Sequence, residues 1–280
     1  MKVFTSADEM REESAAAKRD GRTVGFVATM GALHEGHLSL IDAASALADF
    51  IAVSIFVNPT QFGPGEDLDQ YPRDLDGDLE HCRERAVDAV FAPSAETMYG
   101  AGEHVFVSED AMSTVLCGGT RQGHFRGVLT VVAKLFNIVQ PDVTVFGQKD
   151  AQQARLIERM IEELAFPIAL HLAPIVREPD GLAMSSRNRY LDEAAREQAL
   201  CLHEALQKAR RAYEAGERRP DAVRRDIEST CHEHRPLVDV EYIECVDFSN
   251  LARVETLGPG TLIALAVHVD GTRLIDNIIL

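Results

Sequence analysis

Short apolar runs alternate with helix-periodic stretches over the first two thirds of the chain. The runs Val24–Ala28, Phe50–Val57 and Asp142–Gly147 have strand length and are mostly apolar. Such runs suit strands covered by helices on both faces of a parallel sheet. A short strand is predicted at 89–93 and another within 167–176, and helical patterns lie at 7–20, 38–44, 74–84, 127–139 and 151–164. The alternation predicts an α/β fold built on a parallel sheet.

The pattern changes from Asp192 onwards. There follow a long charged helix broken at Gly216 and Pro220, a second helix over Asp221–His234, and strands at 238–246, 261–269 and 273–279. Asp270-Gly271 is a hairpin-turn dipeptide between the last two strands. We therefore predict a smaller C-terminal α+β domain, with the domains at 1–180 and 181–280.

Charge restricts the partners of the chain. With 28 Lys and Arg against 45 Asp and Glu, the formal net charge is −17. This sign argues against nucleic acid or an anionic membrane surface as a partner, because both require a basic face. An anionic substrate is therefore expected to be held by a local cluster of cations.

Cysteine usage and the N-terminus indicate the compartment. The five cysteines are odd in number and form no CxxC pair, so we expect reduced thiols. The first residues carry acids and no apolar signal-peptide core, and no apolar run approaches the length of a membrane span. We expect a cytoplasmic protein.

The strongest candidate for chemistry is the stretch 23–41, TVGFVATMGALHEGHLSLI. Its strand turns sharply into a helix, and His34, Gly36 and His37 lie at the junction. A helix start attracts anions through its N–H groups and its macrodipole, and Gly36 allows a ligand close to the backbone. Two imidazoles three residues apart can face the same phosphates. The pattern predicts a nucleotide site, although a surface helix start with two solvated histidines would look the same.

Polar residues also follow the other strands. Asn58 and Gln61 come directly after the run that ends at Val57, at the edge where open α/β sheets bind ligands, although Asn-Pro is also a turn dipeptide. The Gly/Pro-rich loop 63–73 is either a mobile lid or a long connection. Lys149 stands at a strand–glycine–helix turn, where contact with phosphate is expected. Gln153 follows one turn later.

Two more polar segments are candidates. Arg121 and His124 open an otherwise apolar helix. Ser185, Ser186 and Arg187 combine hydroxyls with a planar cation, which suits a cluster of anionic oxygens. A helix cap with an exposed arginine would use the same three residues.

Several common nucleotide and metal motifs are absent from the sequence. There is no GxxxxGK[ST] loop and no GxGxxG fingerprint after a strand. Glu35 and His37 lack the spacing of the HExxH zinc motif. Cys231-His232-Glu233-His234 lies on a charged helix without a second ligand pair nearby. No metal site is predicted.

Six motifs together resemble the pantothenate synthetase (pantoate–β-alanine ligase) family. They are TMGALHEGH (29–37), SIFVNPTQF (54–62), YPRD (71–74), HFRGVLTVV (124–132), FGQKDAQQ (146–153) and GLAMSSRNRYL (181–191). They stand in the family's order, and the family belongs to the HxGH nucleotidyltransferase superfamily. The resemblance implies a Rossmann-like parallel sheet with helices on both faces and a smaller C-terminal α+β domain that closes over the site.

The resemblance also implies a reaction. ATP, pantoate and β-alanine would give pantothenate, AMP and pyrophosphate through a pantoyl-adenylate intermediate. Such chemistry needs no enzyme nucleophile, but it needs alignment of the reactants and stabilisation of phosphate charge. Mg²⁺ is expected on the ATP phosphates, with no protein ligand assigned. A homodimer is expected from the family.

Roles follow from matching the motifs residue by residue. His34 and His37 would contact ATP phosphates, with His37 as the proton donor, and Lys149 and Arg187 would neutralise charge on the phosphoryl oxygens. Gln61 and Gln153 would hydrogen-bond pantoate, in a pocket that also admits β-alanine. Asn58, Tyr71 and Arg121 are candidates for the rim. The expected ATP-binding residues are Met30, Gly31, Ala32, Leu33, His34, Glu35, Gly36, His37, Gly147, Gln148, Lys149, Asp150, Val176, Met184, Ser185, Ser186 and Arg187.

Three positions depart from the family's pattern. Ala28 stands where proline is usual, which loosens the backbone before the first turn. Gln148 replaces the usual glutamate beside Lys149, and Ala151 replaces an aromatic residue. None of the three removes a group that is assigned to chemistry.

Two other functions use similar residues. A nucleotidyltransferase that places AMP or CMP on a phosphate ester shares the HxGH motif, but it would need extra cations where this chain has Gln61 and Gln153. A nucleotide-sensing module would not need Lys149, Arg187 and two histidines together.

Overall fold

The computed structural model describes residues 1–100, 102, 104–233 and 237–280. By internal contacts the chain forms two compact units. The first contains residues 1–110, 121–147 and 156–174, and the second contains 111–120, 148–155 and 175–280. The domain boundary predicted from the sequence, between residues 180 and 181, stays a prediction, because units defined by internal contacts need not coincide with domains.

The first unit contains a six-stranded sheet whose paired strands are all parallel. Its strands are β1 (Lys2–Phe4), β2 (Val24–Thr29), β3 (Phe50–Ile55), β4 (Ala89–Phe91), β5 (Val143–Gly147) and β6 (Ala169–Ala173), in the order β1-β4-β3-β2-β5-β6. The apolar runs that form β2 and β3 lie in the middle of the sheet and are almost wholly buried. The predicted parallel α/β sheet is therefore confirmed, whereas β1 was missed because three residues give too short a pattern.

Helices cover this sheet on both faces. Within the first unit they are α1 (Ala7–Arg19), α2 (Glu35–Ser45), α3 (Leu75–Glu84), α4 (Ala95–Tyr99), α6 (His124–Val139) and the part of α7 (Ala151–Glu163) from residue 156 onwards. The second unit contains α5 (Cys117–Thr120) and the first five residues of α7. Neighbouring residues of β2 point to opposite faces. Phe26 meets Phe136 of α6 edge to face, with ring centroids 6.4 Å apart. Val27 packs in a cluster with Leu38 and Ile41 of α2.

Strand order places a switch point beside β2. This strand pairs with β3 on one side and with β5 on the other, so chain connections leave it in both directions. In such sheets ligands bind outside the carboxyl ends of the strands at the switch point. The segments that follow β2 and β3, residues 30–37 and 56–61, begin at this edge.

The second unit is built on a three-stranded antiparallel sheet. Its strands are β7 (Val238–Asp247), β8 (Thr261–Val269) and β9 (Thr272–Ile279), in the order β7-β8-β9. Asp270 and Gly271 both have positive φ, 45° and 77°, as a type I′ hairpin turn requires. The predicted hairpin is confirmed.

Three helices pack on that sheet: α8 (Glu193–Ala199), α9 (Cys201–Glu214) and α10 (Pro220–Glu233). The long helix predicted after Asp192 is divided into α8 and α9 at Leu200, whose backbone stays helical (φ −63°, ψ −18°) while its N–H donates to the Glu197 carbonyl, three residues back, at 3.3 Å. The predicted end of α10 at His234, with the last histidine of the Cys231–His234 cluster, lies outside the described residues. All five cysteines are free and buried.

Among the described residues, no helix is both long enough and apolar enough to cross a membrane. No three His, Cys, Asp or Glu side chains among them are grouped so that they could hold a metal ion.

Candidate active site

The histidine junction after β2 is organised by capping. His34 has an extended backbone (φ −139°, ψ 171°) and is the N-cap of α2, and its Nδ1 accepts a hydrogen bond from the Gly36 N–H at 3.1 Å. The His34 and His37 rings lie 4.1 Å apart between centroids. Because Nδ1 accepts, a neutral His34 carries its proton on Nε2. The two imidazoles are neighbours, as expected, but His34 precedes the helix and is not part of it.

A buried carboxylate holds the turn that leads into this helix. Gly31 and Ala32 have positive φ, 82° and 51°, which is strained for alanine. Asp78 of α3 accepts hydrogen bonds from the Ala32 and Leu33 N–H groups at 2.9 and 2.7 Å. Successive N–H groups in such a turn form an anion-binding concavity, and here a carboxylate of the protein fills it. Burial raises the pKa of Asp78 above its ordinary value, against the lowering effect of both N–H donors.

Asp78 is a residue of this site that the sequence motifs do not identify. A single aspartate in an amphipathic helix gives no signal of its own, because 45 residues separate it from the nearer residue it holds. The hydrophobic pattern identified the strand and the helix, but not the contact that stabilises the turn between them.

The segment after β3 carries Gln61. It forms a 3-10 turn over Pro59–Gln61, capped by Asn58, whose Nδ2 donates to Gln61 Oε1 at 3.1 Å and to the Gly127 carbonyl at 3.2 Å. Gln61 Nε2 lies 3.0 Å from Met30 Sδ, which brings two of the predicted site residues together. Asn58 is thus both the turn residue and the residue that orients Gln61.

Gly127 lets this turn lie directly on α6. A Cβ at Gly127 would stand 2.3 Å from the Thr60 carbonyl oxygen and 2.7 Å from the Gln61 nitrogen. Only glycine therefore permits the observed distance between helix and turn.

Arg121, expected at the rim of the site, forms an ion pair in the structure. Its guanidinium donates to both carboxylate oxygens of Glu66, at 2.8 and 2.6 Å, and this hydrogen bonding lowers the pKa of Glu66. Arg121 also lies 3.0 Å from His124 Nε2, and His124 Nδ1 lies 2.8 Å from the Gln61 carbonyl oxygen. The Gly/Pro-rich loop is thereby linked to the backbone of Gln61.

Tyr71, which is predicted for the rim of the site, is buried within the loop that follows Gln61. It is only 5% exposed and its ring meets Phe62 edge to face, with centroids 5.9 Å apart. The ring therefore contributes to the packing of the 62–71 loop.

The lysine turn lies in the second unit. Gln148–Asp150 form a 3-10 turn ahead of α7, and Lys149 Nζ lies 3.9 Å from Asp150 Oδ2 with its side chain 21% exposed. Gln153 is half-buried one turn later. Beside it, the buried Gln152 amide donates to the carbonyls of Met112 and Val115 and accepts the Cys117 N–H. Gln152 is a structural residue that the motif did not distinguish from Gln153.

The serine–arginine loop lies in the same unit. Ser185 caps a 3-10 helix, Ser186–Tyr190, and its Oγ accepts the Arg187 N–H at 3.2 Å. Val176 and Met184 are joined by a backbone hydrogen bond of 3.0 Å. The loop is thus a capped helix start, and the cap engages the backbone of Arg187 rather than its guanidinium.

The three departures from the family pattern have plain structural settings. Ala28 lies within β2, in register with Ser54 of β3. Gln148 Nε2 donates to Asn277 Oδ1 at 3.2 Å. Ala151 is buried at the first residue of α7.

The predicted residues thus fall into two sets. The first unit holds His34, His37, Met30 and Gln61, and the second holds the lysine turn, Gln153 and the serine–arginine loop. Within each unit the structure brings neighbours together: His34 with His37, Met30 with Gln61, and Val176 with Met184.

Comparison with known proteins gives full-length matches. The family model described as pantoate-beta-alanine ligase matches residues 2–279. A pantothenate synthetase of Thermosipho africanus is 49% identical over 280 residues, covering 100% of both chains. The crystal structure of pantothenate synthetase from Thermus thermophilus has a TM-score of 0.94 at 40% identity, covering 99% of both chains. A pantoate-beta-alanine ligase from Francisella tularensis, complexed with beta-gamma ATP and beta-alanine, has a TM-score of 0.82 at 32% identity, covering 100% of this chain and 97% of the other.

Proposed function

The chain belongs to the pantoate–β-alanine ligase family, and we infer from this membership that it condenses pantoate with β-alanine to pantothenate at the expense of ATP. The observation that carries the inference is a family match over residues 2–279 that includes all six motifs. ATP and β-alanine are bound by the Francisella relative, and we extend both ligands to this chain.

Two chemical steps make up the reaction. In the first, a pantoate carboxylate oxygen attacks the α-phosphorus of ATP, the bond to the β,γ-phosphates breaks, and pyrophosphate leaves. In the second, the β-alanine amine attacks the acyl carbon of pantoyl adenylate, AMP leaves with its bonding electron pair, and the amine nitrogen loses a proton. Neither step requires a covalent enzyme intermediate, so catalysis rests on alignment and on stabilisation of phosphate charge.

The histidine junction supplies the first group of contacts. We assign His34 and His37 to the ATP phosphates, with His37 as proton donor, and the α2 N-terminus adds a favourable dipole. Met30 to Leu33 form the turn against the nucleotide. The Asp78 hydrogen bonds hold that turn in its positive-φ conformation through contacts within the protein, which reduces the ordering needed on binding.

Gln61 and Gln153 are assigned to pantoate. A neutral amide can both donate to and accept from a hydroxy acid, whereas a phosphate ester would call for cations. Gln61 is buried and held by Asn58, so its amide is positioned before substrate arrives.

Lys149 and Arg187, with Ser185 and Ser186, are assigned to charge on the phosphoryl oxygens as pyrophosphate departs. Lysine provides a compact charge, whereas arginine provides a planar fork for two oxygens. Gly147, Gln148, Asp150, Val176 and Met184 complete the nucleotide set. Magnesium, we propose, enters on the ATP phosphates, as is usual for this ion.

An isotope experiment tests the adenylate route. Pantoate carrying a heavy oxygen isotope in its carboxylate is mixed with ATP, β-alanine and enzyme, and AMP is analysed by mass spectrometry. Transfer of one labelled oxygen to AMP is expected, because the bridging oxygen of the adenylate leaves with the phosphate. Unlabelled AMP alongside pantothenate would contradict the route.

Variants test the assigned residues. We expect His37→Ala and Lys149→Ala each to lose most of the turnover, by about a hundredfold or more, while circular dichroism and the unfolding midpoint stay close to those of the wild type. A loss of folding in either variant would show that the residue is structural.

Assembly and location are further parts of the proposal. We propose a homodimer in the cytoplasm, on the basis of the family resemblance and the reduced cysteines. Light scattering coupled to size-exclusion chromatography measures the first directly, and a monomer at micromolar concentration would refute it.

A further inference from the structure

Two adjacent polar residues are buried on the last strand of the chain. Asp276 and Asn277 of β9 are 2% and 3% exposed, among otherwise apolar neighbours such as Leu274 and Ile278. Neither residue lies in any of the six motifs. Burying polar groups is unfavourable unless they are hydrogen-bonded, so their partners reveal what they do.

Asn277 holds the backbone of the lysine turn. Its Nδ2 donates to the carbonyl oxygens of Gln148 and Lys149, both at 3.0 Å. Its Oδ1 accepts from Gln148 Nε2 at 3.2 Å. The carbonyl oxygens of Gln148 and Lys149 need a donor, so the Asn277 amide must turn its nitrogen towards them. The amide oxygen of Asn277 then needs a donor of its own. The glutamine at 148 supplies that donor, whereas an ionised glutamate could not.

Asp276 holds the segment that leads to the serine–arginine loop. Its two carboxylate oxygens accept from the Arg177 guanidinium at 2.6 and 2.9 Å. Arg177 also donates to the Gly181 carbonyl at 3.1 Å and forms an antiparallel bridge with Ala183. A hairpin over 177–183 is thereby fixed to β9 immediately before Ser185.

We propose that Asp276 and Asn277 are positioning residues that set the geometry of Lys149 and of the serine–arginine loop from one rigid strand. The proposal rests on the proposed function, because it concerns the residues assigned there to phosphate. Both segments are short 3-10 structures, and a pair of buried side chains on a strand gives them a common support. A displacement of about 1 Å in a catalytic group can lower the rate by about a hundredfold.

The test uses the isosteric variant Asn277→Asp in the full-length protein. It replaces the donor nitrogen by an oxygen that faces two carbonyl oxygens, so the lysine turn should move away. Single-turnover pantoyl-adenylate formation at saturating ATP and pantoate should slow by about a hundredfold, a larger factor than any rise in the KM for ATP, because Lys149 is assigned to charge that develops as pyrophosphate departs. Asp276→Asn, which weakens the Arg177 contact, should slow the same step by about tenfold.

A matched control comes from the same strand. Ile278→Ala removes buried apolar volume from a core cluster that includes no residue of either 3-10 segment, so it should lower the unfolding midpoint while leaving the single-turnover rate within about threefold of the wild type. Rates are compared at a temperature where circular dichroism shows all variants folded, and Asn277→Ala replaces Asn277→Asp if the latter does not fold.

Amide hydrogen exchange provides a readout that is independent of activity. Peptides covering 147–153 should exchange faster in Asn277→Asp than in Ile278→Ala, and peptides covering 177–188 faster in Asp276→Asn. Unchanged exchange there, or a rate loss in Ile278→Ala equal to that in Asn277→Asp, would overturn the proposal. If the wild type shows the expected amide hydrogen exchange but forms no pantoyl adenylate, the proposed function is refuted, and Asp276 and Asn277 are structural residues only.

Discussion

Gly127→Ala is a perturbation whose effect follows directly from the geometry of α6. The new Cβ would lie 2.3 Å from the Thr60 carbonyl oxygen and 2.7 Å from the Gln61 nitrogen. An ordinary carbon–oxygen contact is about 3.3 Å, so the Pro59–Gln61 turn must withdraw from the helix by about 1 Å. The atoms in the way are backbone, which cannot be relieved by a rotamer change.

Two opposing terms set the effect on stability. Alanine is about 1 kcal/mol better than glycine inside a helix, whereas overpacking of this kind costs about 1–3 kcal/mol. Because the clash is with backbone, we take the upper end, and expect a net destabilisation of about 2 kcal/mol. The helix preference alone would predict stabilisation, so the sign of the change separates the two effects.

The same displacement should be seen in substrate binding. Gln61 moves with the turn, and Asn58, which holds the Gln61 amide, loses its own hydrogen bond to the Gly127 carbonyl. We expect the KM for pantoate to rise by about five- to tenfold, with the KM for ATP little changed, since a lost hydrogen bond of about 1–1.5 kcal/mol corresponds to that factor.

Steady-state kinetics and urea unfolding measure both effects. Leu129→Ala is the control, because it removes core volume from the same helix and should lower stability by about 2–5 kcal/mol without a selective change in the pantoate KM. A Gly127→Ala protein that is more stable than the wild type and has the same pantoate KM would refute the reasoning.

Other predictions concern three ionisable side chains. Asp78→Asn places an amide nitrogen against the backbone N–H of either Ala32 or Leu33. The variant should lose about 1–3 kcal/mol of unfolding free energy and should form the adenylate more slowly. Burial, aided by the charge of Arg177, lowers the pKa of His203. As pH falls below 6.5, the histidine is therefore protonated in the unfolded chain before it is protonated in the folded protein, and stability declines. In His203→Gln, the unfolding free energy measured with urea should change less between about pH 7.5 and about pH 5.5 than in the wild type. Glu66→Gln breaks the ion pair with Arg121, whose contribution to stability is present above the ordinary glutamate pKa and is lost as pH falls through the lowered pKa of Glu66. At neutral pH the variant should lose up to about 1 kcal/mol of unfolding free energy and be cleaved faster by proteases within 63–73. An unchanged cleavage rate would argue against the pair holding that loop.

The middle of the sheet could be predicted from the sequence because its strands are buried on both faces. The runs at Val24 and Phe50 are apolar without alternation, and both are central strands. Asp270-Gly271 also predicted its hairpin, since few other residues adopt two successive positive φ angles. The break at Leu200 could not be predicted, because the residues around it are all compatible with a helix.

For the candidate site, motifs identified the residues assigned to substrates but not those that support them. Asp78 and Asn277 act on segments 45 and 128 residues away, through single side chains that have no periodic signature. Arg121 had a recognisable position ahead of α6, but only the structure gives its partner, Glu66. Long-range polar contacts of this kind depend on tertiary structure, which one sequence does not specify locally.

Isotope exchange between radiolabelled pyrophosphate and ATP tests the central claim most directly, because it reports the first chemical step alone. We predict exchange that requires pantoate, proceeds without β-alanine, and is lost in Lys149→Ala. Exchange that proceeds without pantoate, or a folded wild-type protein that shows none with pantoate present, would contradict the account.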